Sequence, residues 1–284
     1  MAILVDYSQV CISNLHKSLG KYTNAEINTD IIRHMILNSL RRYNVKFGKE
    51  YGELTICCDG GKSWRREIFP YYKAQRKISR DKSELDWNLI FDALAQIREE
   101  IREYMPYRVV YHDNAEADDV ISTICQEYGT EMPIHNEEMI LILSGDKDFI
   151  QLQKYQNVAQ YDPIRDKWIK NDNPQKYLVQ QILKGDSSDG VPNIMSKDSV
   201  FVDKIRQKPM TEKRLEEFTK MIPPELQDNY NRNKLMIDLM QVPSDIKKEV
   251  LHKYNEQAGK NRSRMLTYFI KFKLKHLTES LSEF

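Results

Sequence analysis

Long apolar runs, cysteines at metal-ligand spacing and one-sided charge are all missing from this chain of 284 residues. No apolar stretch approaches the roughly 20 residues that a membrane-crossing helix needs. The amino terminus enters a short apolar segment at once, without the pattern of a secretory leader, so a cytoplasmic protein is expected. Four cysteines (Cys11, Cys57, Cys58, Cys125) show no metal-ligand spacing. Cys57 and Cys58 fall inside an apolar run, where free thiols behave as small hydrophobes in a reducing compartment. Six histidines (His16, His34, His112, His135, His252, His276) show no His-x-x-x-His or similar pairing, and no chemistry is assigned to them. There is no internal repeat and no low-complexity tract. Lys+Arg is 43 against 42 Asp+Glu, a net charge of +1 that by itself suggests no nucleic-acid partner.

The distribution of charge says more than its sum. Eight basic residues lie between Lys62 and Lys82 (Lys62, Arg65, Arg66, Lys73, Arg76, Lys77, Arg80, Lys82), against only Glu67 and Asp81. From Gln257 to Lys275 there are six more (Lys260, Arg262, Arg264, Lys271, Lys273, Lys275) and no acid. A near-neutral total can therefore hide one acidic pocket and two basic surfaces.

Apolar segments and helical repeats alternate along the first part of the chain. Ala2–Val5, Leu54–Cys58, Tyr107–Tyr111 and Met139–Leu143 read as buried strands. Residues 28–43 carry apolar side chains at Ile31, Ile32, Met35, Ile36 and Leu40, a helical spacing, with Asn28 or Thr29 as cap and Gly48 as a stop. Trp87–Met105 is helical with Pro106 ending it, and Ala115–Tyr128 reads as a helix. Strands alternating with helices predict an α/β fold, with a mostly parallel central sheet covered by helices on both faces. The α/β unit is expected over residues 1–180, with a basic segment at about 62–86. After Gln180 the chain turns helical and polar, and residues 181–284 are expected to form a smaller C-terminal lobe.

Nine carboxylates sit at or just after the apolar runs. Asp6 closes Ile3-Leu4-Val5, and Asp59 closes Leu54–Cys58. Glu116, Asp118 and Asp119 open a helix. Asp146 and Asp148 follow Met139–Leu143, and Asp186 and Asp189 lie in Lys-Gly-Asp-Ser-Ser-Asp. In parallel sheets ligands gather at the carboxyl ends of the strands, where several of these acids fall. A fold has little reason to collect so many like charges unless cations neutralise them. Mg²⁺ does so with oxygen ligands, and two such ions can clamp a phosphodiester for in-line hydrolysis. For Glu116, Asp118 and Asp119 a helix N-terminus alone would also favour negative charge.

These residues resemble the ordered motifs of the 5′-nuclease family, which includes flap endonucleases and the 5′-exonuclease domain of bacterial DNA polymerase I. The motifs are Val-Asp at the first strand, Cys-Asp-Gly-Gly, Tyr-Lys-Ala-Gln-Arg (Tyr72–Arg76), Glu-Ala-Asp-Asp (Glu116–Asp119), Ser-Gly-Asp-Lys-Asp-Phe (Ser144–Phe149) and Lys-Gly-Asp-Ser-Ser-Asp (Lys184–Asp189). Within the family, Arg-His-Met-Ile-Leu-Asn-Ser, Trp-Arg-Arg, Tyr-Met-Pro-Tyr and the closing Glu-Phe are similar to the ribonuclease H branch of T-even bacteriophages. The resemblance implies a PIN-like core and a structure-selective 5′-3′ exonuclease or flap endonuclease. Its substrates would be branched, nicked or 5′-ended DNA and RNA–DNA duplex, and it would remove RNA primers during phage replication, leaving 5′-phosphate and 3′-hydroxyl. It implies two Mg²⁺, with Mn²⁺ as a substitute. One site would draw on Asp6, Asp59, Glu116 and Asp118. The other would draw on Asp118 or Asp119 with Asp146, Asp148, Asp186 and Asp189. A monomer is expected, with a single-strand-binding protein or sliding clamp as candidate recruiting partners. The family usually continues with a glycine-rich helix–turn–helix, often holding K⁺. Here Asp189 is followed by Gly-Val-Pro-Asn-Ile-Met-Ser-Lys-Asp-Ser, which puts K⁺ and the usual duplex grip in question.

The same resemblance puts Tyr72, Lys73 and Arg76 on an arch over the site. Arg suits bidentate phosphate binding and Lys supplies a point charge that stabilises the transition state. Tyr72 would stack on an unpaired base. Arg65, Arg66, Lys77 and Arg80 are candidate backbone contacts. Lys260, Arg262, Arg264 and Lys271 would track duplex phosphates, unless Tyr268, Phe269 and Phe272 are core and the basic residues merely coat a terminal helix. Two other readings exist: an Asp6-nucleophile phosphohydrolase, although Ser8 stands where a second acid is usual, and a DNA-structure binder whose acids hold structural cations only.

Overall fold

The computed structural model describes residues 1–19, 28–81, 85–132 and 138–284. Its centre is a six-stranded sheet of order β3-β2-β1-β4-β5-β6. The strands are β1 (Ala2–Asp6), β2 (Leu54–Cys57), β3 (Arg108–Val110), β4 (Ile140–Leu143), β5 (Val158–Asp162) and β6 (Lys167–Ile169). All pairings are parallel except β5 with β6. Between β1 and β2 run α1 (Tyr7–Leu19) and α2 (Thr29–Tyr51). Between β2 and β3 run α3 (Arg65–Ile68), α4 (Ala74–Asp81) and α5 (Trp87–Tyr104). Helix α6 (Ala117–Tyr128) precedes β4, and a 3₁₀ segment, Lys147–Lys154, follows it. The remainder holds α7 (Pro174–Lys184), α8 (Glu212–Lys220), α9 (Gln227–Ile237), α10 (Ser244–Glu256), α11 (Met265–Lys271) and α12 (Lys275–Thr278). No helix among the described residues is long and apolar enough to cross a membrane.

Successive strand residues face opposite sides of a sheet. Ile3, Val5, Leu54, Ile56, Leu141 and Leu143 thus share one layer with residues of α1, α2, α5 and α11. Ala2, Leu4, Cys57, Ile140 and Ile142 share the other with α6, the 3₁₀ segment and α10. Each strand is apolar on both faces because both faces are covered, which is why they read as continuous runs. Of the stretch expected as a smaller lobe, residues 239–284 return to the two faces of this sheet, while α7 to α9 pack around two further clusters, one of them shared with Phe69 and Tyr72.

One local expectation is corrected. Gly48 does not stop α2, which continues to Tyr51 and is capped by Gly52 at φ +83°. Gly in a helix costs about 1 kcal/mol, but burial of Phe47 before it and Tyr51 after it outweighs that. The hairpin β5–β6 carries no strand signal in the sequence because Gln160 and Asp162 interrupt β5. Both are buried and satisfied: Gln160 Nε2 donates to Ser144 O at 3.0 Å, and Asp162 Oδ1 accepts from Ile164 N and Arg165 N at 2.9 and 3.0 Å. After Asp189, side chains rather than glycines hold the loop. Asn193 Nδ2 donates to Lys208 O (2.8 Å), and Asn233 Nδ2 donates to Ile182 O (2.7 Å) and Pro192 O (2.8 Å).

Candidate active site

β1 and β4 are central neighbours whose onward connections leave toward opposite edges, so a crevice opens where both strands end. Asp6 is the last residue of β1 and is buried. Its oxygens accept from Gln9 N at 3.2 Å and from Ser144 Oγ, just past β4, at 3.0 Å. Asp59 follows β2, is exposed, and accepts from Ala117 N at the start of α6 (2.9 Å). Gly60 permits this approach, because a Cβ there would lie 2.1 Å from His112 O. Glu116 is the N-cap of α6, in a reciprocal capping box with Asp119. Asp146 caps the 3₁₀ segment through Asp148 N (2.9 Å), so Asp-Lys-Asp is a turn rather than an extended strand.

Asp148, Asp186 and Asp189 each present an oxygen within 4.8 Å of the others. Asp186 is set by an Asx turn, accepting from Ser188 N at 2.7 Å. Gly190 has φ +73°, and a Cβ on it would lie 2.8 Å from Tyr71 O, so this loop sits directly on the segment carrying Tyr72–Arg76. Lys73 N donates to Asp189 O at 2.7 Å.

Crowding of like charge shows in the protonation of these groups. Burial, then Asp59 and Asp146, push Asp6 up to about 7. Asp118 is raised well above the carboxylate range by burial and by Asp146 and Asp6. Asp146 is raised by burial, with Asp189 and Asp186 adding to it. Asp148 is raised well above its ordinary value by burial and by Asp146, Asp186 and Asp189. The donor set is all oxygen and under-neutralised, which suits a hard divalent cation.

The neutralising charge that is present comes from the basic segment. Lys73 Nζ lies 2.6 Å from Glu116 Oε1 and 3.5 Å from Asp189 Oδ2. Arg76 Nη2 lies 2.5 Å from Asp189 Oδ1. Burial disfavours the charge of Lys73, but Asp189 and Glu116 outweigh it and hold the amine above its ordinary value. Burial alone would raise Glu116, yet Lys73 and Arg65 bring it below the usual range. Lys73 and Arg76 thus act as counter-cations to one carboxylate from each expected metal group.

Several expected site residues are placed otherwise. Asp119 is wholly buried: Arg65 Nη2 lies 2.8 Å from its Oδ1, and its Oδ2 accepts from Arg65 Nη1 at 3.0 Å, Trp64 Nε1 at 3.2 Å and Glu116 N at 3.0 Å, so its nearest positive charge is Arg65. Arg65 is equally buried and also donates to Met236 O (2.9 Å), so it cannot reach a nucleic-acid backbone. Tyr72 is buried and does not offer its ring for stacking; its hydroxyl lies 2.7 Å from Glu116 Oε2 and 2.9 Å from Asp189 Oδ2. Lys260 donates to Arg102 O and Tyr107 O at 2.6 and 2.9 Å, and burial pushes its amine down to about 8. Arg264 pairs with Glu103 (2.8 Å), and Lys271 lies 3.3 Å from Tyr104 Oη. These partners run from the last turn of α5 to the start of β3, at the end of the sheet opposite the carboxylates. Tyr268 and Phe269 are core, so the basic residues there, including the exposed Arg262, coat the outside. The Lys77 side chain lies outside the described residues.

Breaking the Arg65–Asp119 pair leaves a buried charge without its partner. Arg65→Met is expected to cost about 3–5 kcal/mol of stability in chemical denaturation. A loss below about 1 kcal/mol would show that the pair does not anchor α3 to α6.

Beside the acids opens a cavity of about 720 Å³. Asp59, Lys62, Arg66, Lys73, Arg76, Arg80 and Arg98 line it, with Phe91 on the α5 wall. The Arg80 guanidinium lies 4.8 Å from the Phe91 ring centroid. Arg98 and Phe91 give no signal in the sequence because α5 looks like an ordinary amphipathic helix. Only the packing of α4 beside it makes that face a wall.

An α/β core of this topology, with a carboxylate crevice and a basic cavity beside it, is the architecture of a 5′ nuclease. The chain belongs to the 5′-3′ exonuclease family: residues 2–182 match its N-terminal resolvase-like domain, and residues 173–284 match the T4 RNase H C-terminal domain. It is similar to the ribonuclease H of Enterobacteria phage T4, with 34% identity over 99% of this chain and 95% of the relative. The flap endonuclease Xni of Pseudoalteromonas translucida is 28% identical over 48% of this chain and 51% of its own length. The D15 flap endonuclease of bacteriophage T5, in a complex with DNA and metal ions, shares the fold at a TM-score of 0.64 and 16% identity, over 90% of this chain and 98% of that one.

Proposed function

We propose that this protein is a divalent-metal-dependent 5′-3′ exonuclease and flap endonuclease of phage replication, acting in the host cytoplasm. It removes RNA primers and adjacent DNA from lagging-strand fragments and leaves 5′-phosphate and 3′-hydroxyl ends. What supports this is that Asp59 and Glu116 line a basic cavity, and that Lys73 and Arg76 in its wall reach Asp189, one of the three grouped acids Asp148, Asp186 and Asp189. Full-length similarity to a phage ribonuclease H supports it.

Asp6, Asp59, Glu116 and Asp118 would hold one Mg²⁺, and Asp146, Asp148, Asp186 and Asp189 a second. Such ions activate water and stabilise the attacking and leaving oxygens of an in-line displacement. The chain's own part is to place the phosphate. Lys73 and Arg76, now paired with Glu116 and Asp189, would be free to bind phosphate oxygens if those carboxylates held cations instead. Arg66 and Arg80 steer the strand along the cavity, and Asp119 with Arg65 hold the capping box that aims Glu116. The burial of Asp6 and its two hydrogen bonds argue against a nucleophilic role for it.

The test compares end-labelled nicked, 5′-flap and single-stranded substrates in Mg²⁺ and in chelator. Cleavage of the first two from the 5′ end, abolished by chelator, is expected. Flap binding with no cleavage in Mg²⁺ would instead make the protein a DNA-structure binder.

A further inference from the structure

Helix α7 contributes none of the nine acids, yet it packs along the 3₁₀ segment that carries Asp148. Gln181, on its third turn, donates its amide Nε2 to Asp148 Oδ1. The other end of the same amide, Oε1, is buried and has no hydrogen-bond partner. A buried carbonyl left unmet costs about 1–3 kcal/mol, so an acceptor in that state points to a donor that the working site supplies. The Gln181 side chain therefore meets the group formed by Asp148, Asp186 and Asp189 at Asp148.

We propose that Gln181 is the positioning residue of the second cation group, an inference that rests on the metal reading above. One carboxylate oxygen of Asp148 is tethered by the amide, so the carboxylate plane is set and its free lone pairs are turned toward Asp186 and Asp189. The unmet Oε1 is an acceptor suited to water carried by a hydrated cation, since Mg²⁺ usually keeps several of its waters. Gln suits both roles, because it donates and accepts without adding a further negative charge to a crowded cluster.

Hydrogen-bond partners standing behind metal ligands typically contribute 10–100-fold to metal affinity. The test is Mn²⁺ titration calorimetry on the full chain, compared with Gln181→Met, Gln181→Asn and Asp189→Asn. In the parent protein two binding transitions are expected, and Asp189→Asn identifies the one belonging to this group. Gln181→Met and Gln181→Asn should weaken that same transition by roughly 10-fold or more, leave the other in place, and keep the cation-free melting temperature within a few degrees. No change in either transition, equal weakening of both, or loss of the fold in both variants would overturn the role of Gln181. Absence of Mn²⁺ binding in the parent protein would instead overturn the metal reading itself.

Discussion

Asp118→Asn is expected to lower turnover on a 5′-flap substrate by at least about 10³-fold and, in the same protein, to raise the melting temperature of the cation-free form at pH 8. The two effects have one cause. Asp118 is squeezed by burial, Asp146 and Asp6, so its charge is unfavourable until a cation arrives. A neutral amide of nearly the same shape removes that repulsion. It also removes a proposed ligand, and forfeiting several kcal/mol of transition-state charge stabilisation corresponds to a loss of this size. The stability effect has a definite pH dependence. For a carboxyl whose folded pKa is raised, the stabilising contribution of its proton is complete below the unfolded value and is lost as pH rises through the folded one. For Asp6 that window runs from the ordinary value of 3.8 to about 7. Cation-free protein should therefore lose stability across this range, and Mg²⁺ should restore more at pH 8 than at pH 5. Calorimetric melting of both proteins at the two pH values, with and without Mg²⁺, checks it. A cation-free melting temperature that falls in Asp118→Asn would contradict the crowding argument.

Lys73→Met should move the same observables in the opposite sense. In the cation-free protein Lys73 stands between Glu116 and Asp189, and removing it leaves both with less counter-charge. The melting temperature without cation should fall, and affinity for Mn²⁺ should rise, because a competitor for two ligands is gone. Turnover should nevertheless drop by roughly 10²–10³-fold, the scale of losing one charged donor to a developing oxyanion. Single-turnover kinetics should place this loss in the chemical step more than in substrate affinity. Arg66→Met serves as the control. Its side chain lines the same cavity, so a general charge effect would tighten cation binding equally in both variants. Equal tightening would show that Lys73 is not a specific counter-ion of the acid cluster.

How far these residues can be read in advance depends on what each signal measures. Glu116 is legible as a helix cap and Asp6 as a strand end, because both positions follow from local backbone geometry. Asp119 defeats the same reasoning: one residue from Asp118 and part of the same motif, it differs only in the direction of its side chain. That direction is set by Arg65, 54 residues earlier. Tyr72 has the sequence context of an exposed stacking ring because it sits in a basic run. The positive backbone dihedral of Lys73 (φ +54°) and the loop of Gly190 instead draw this segment down onto the acids. Gln181 gives no signal at all, since a lone glutamine on a polar helix is unremarkable until the helix is packed.

The sequence alone determined the α/β alternation, the strand edge to which the acids belong and the order of the motifs, because strand and helix periods and turn chemistry are local properties of the chain. Only the tertiary structure decided which acids are paired with arginine and which are left facing one another. It also decided that the carboxy-terminal basic stretch lies at the far end of the sheet, and that a glutamine stands behind Asp148. Those outcomes depend on the mutual orientation of side chains from distant segments, which burial and charge pairing settle only once the layers have packed.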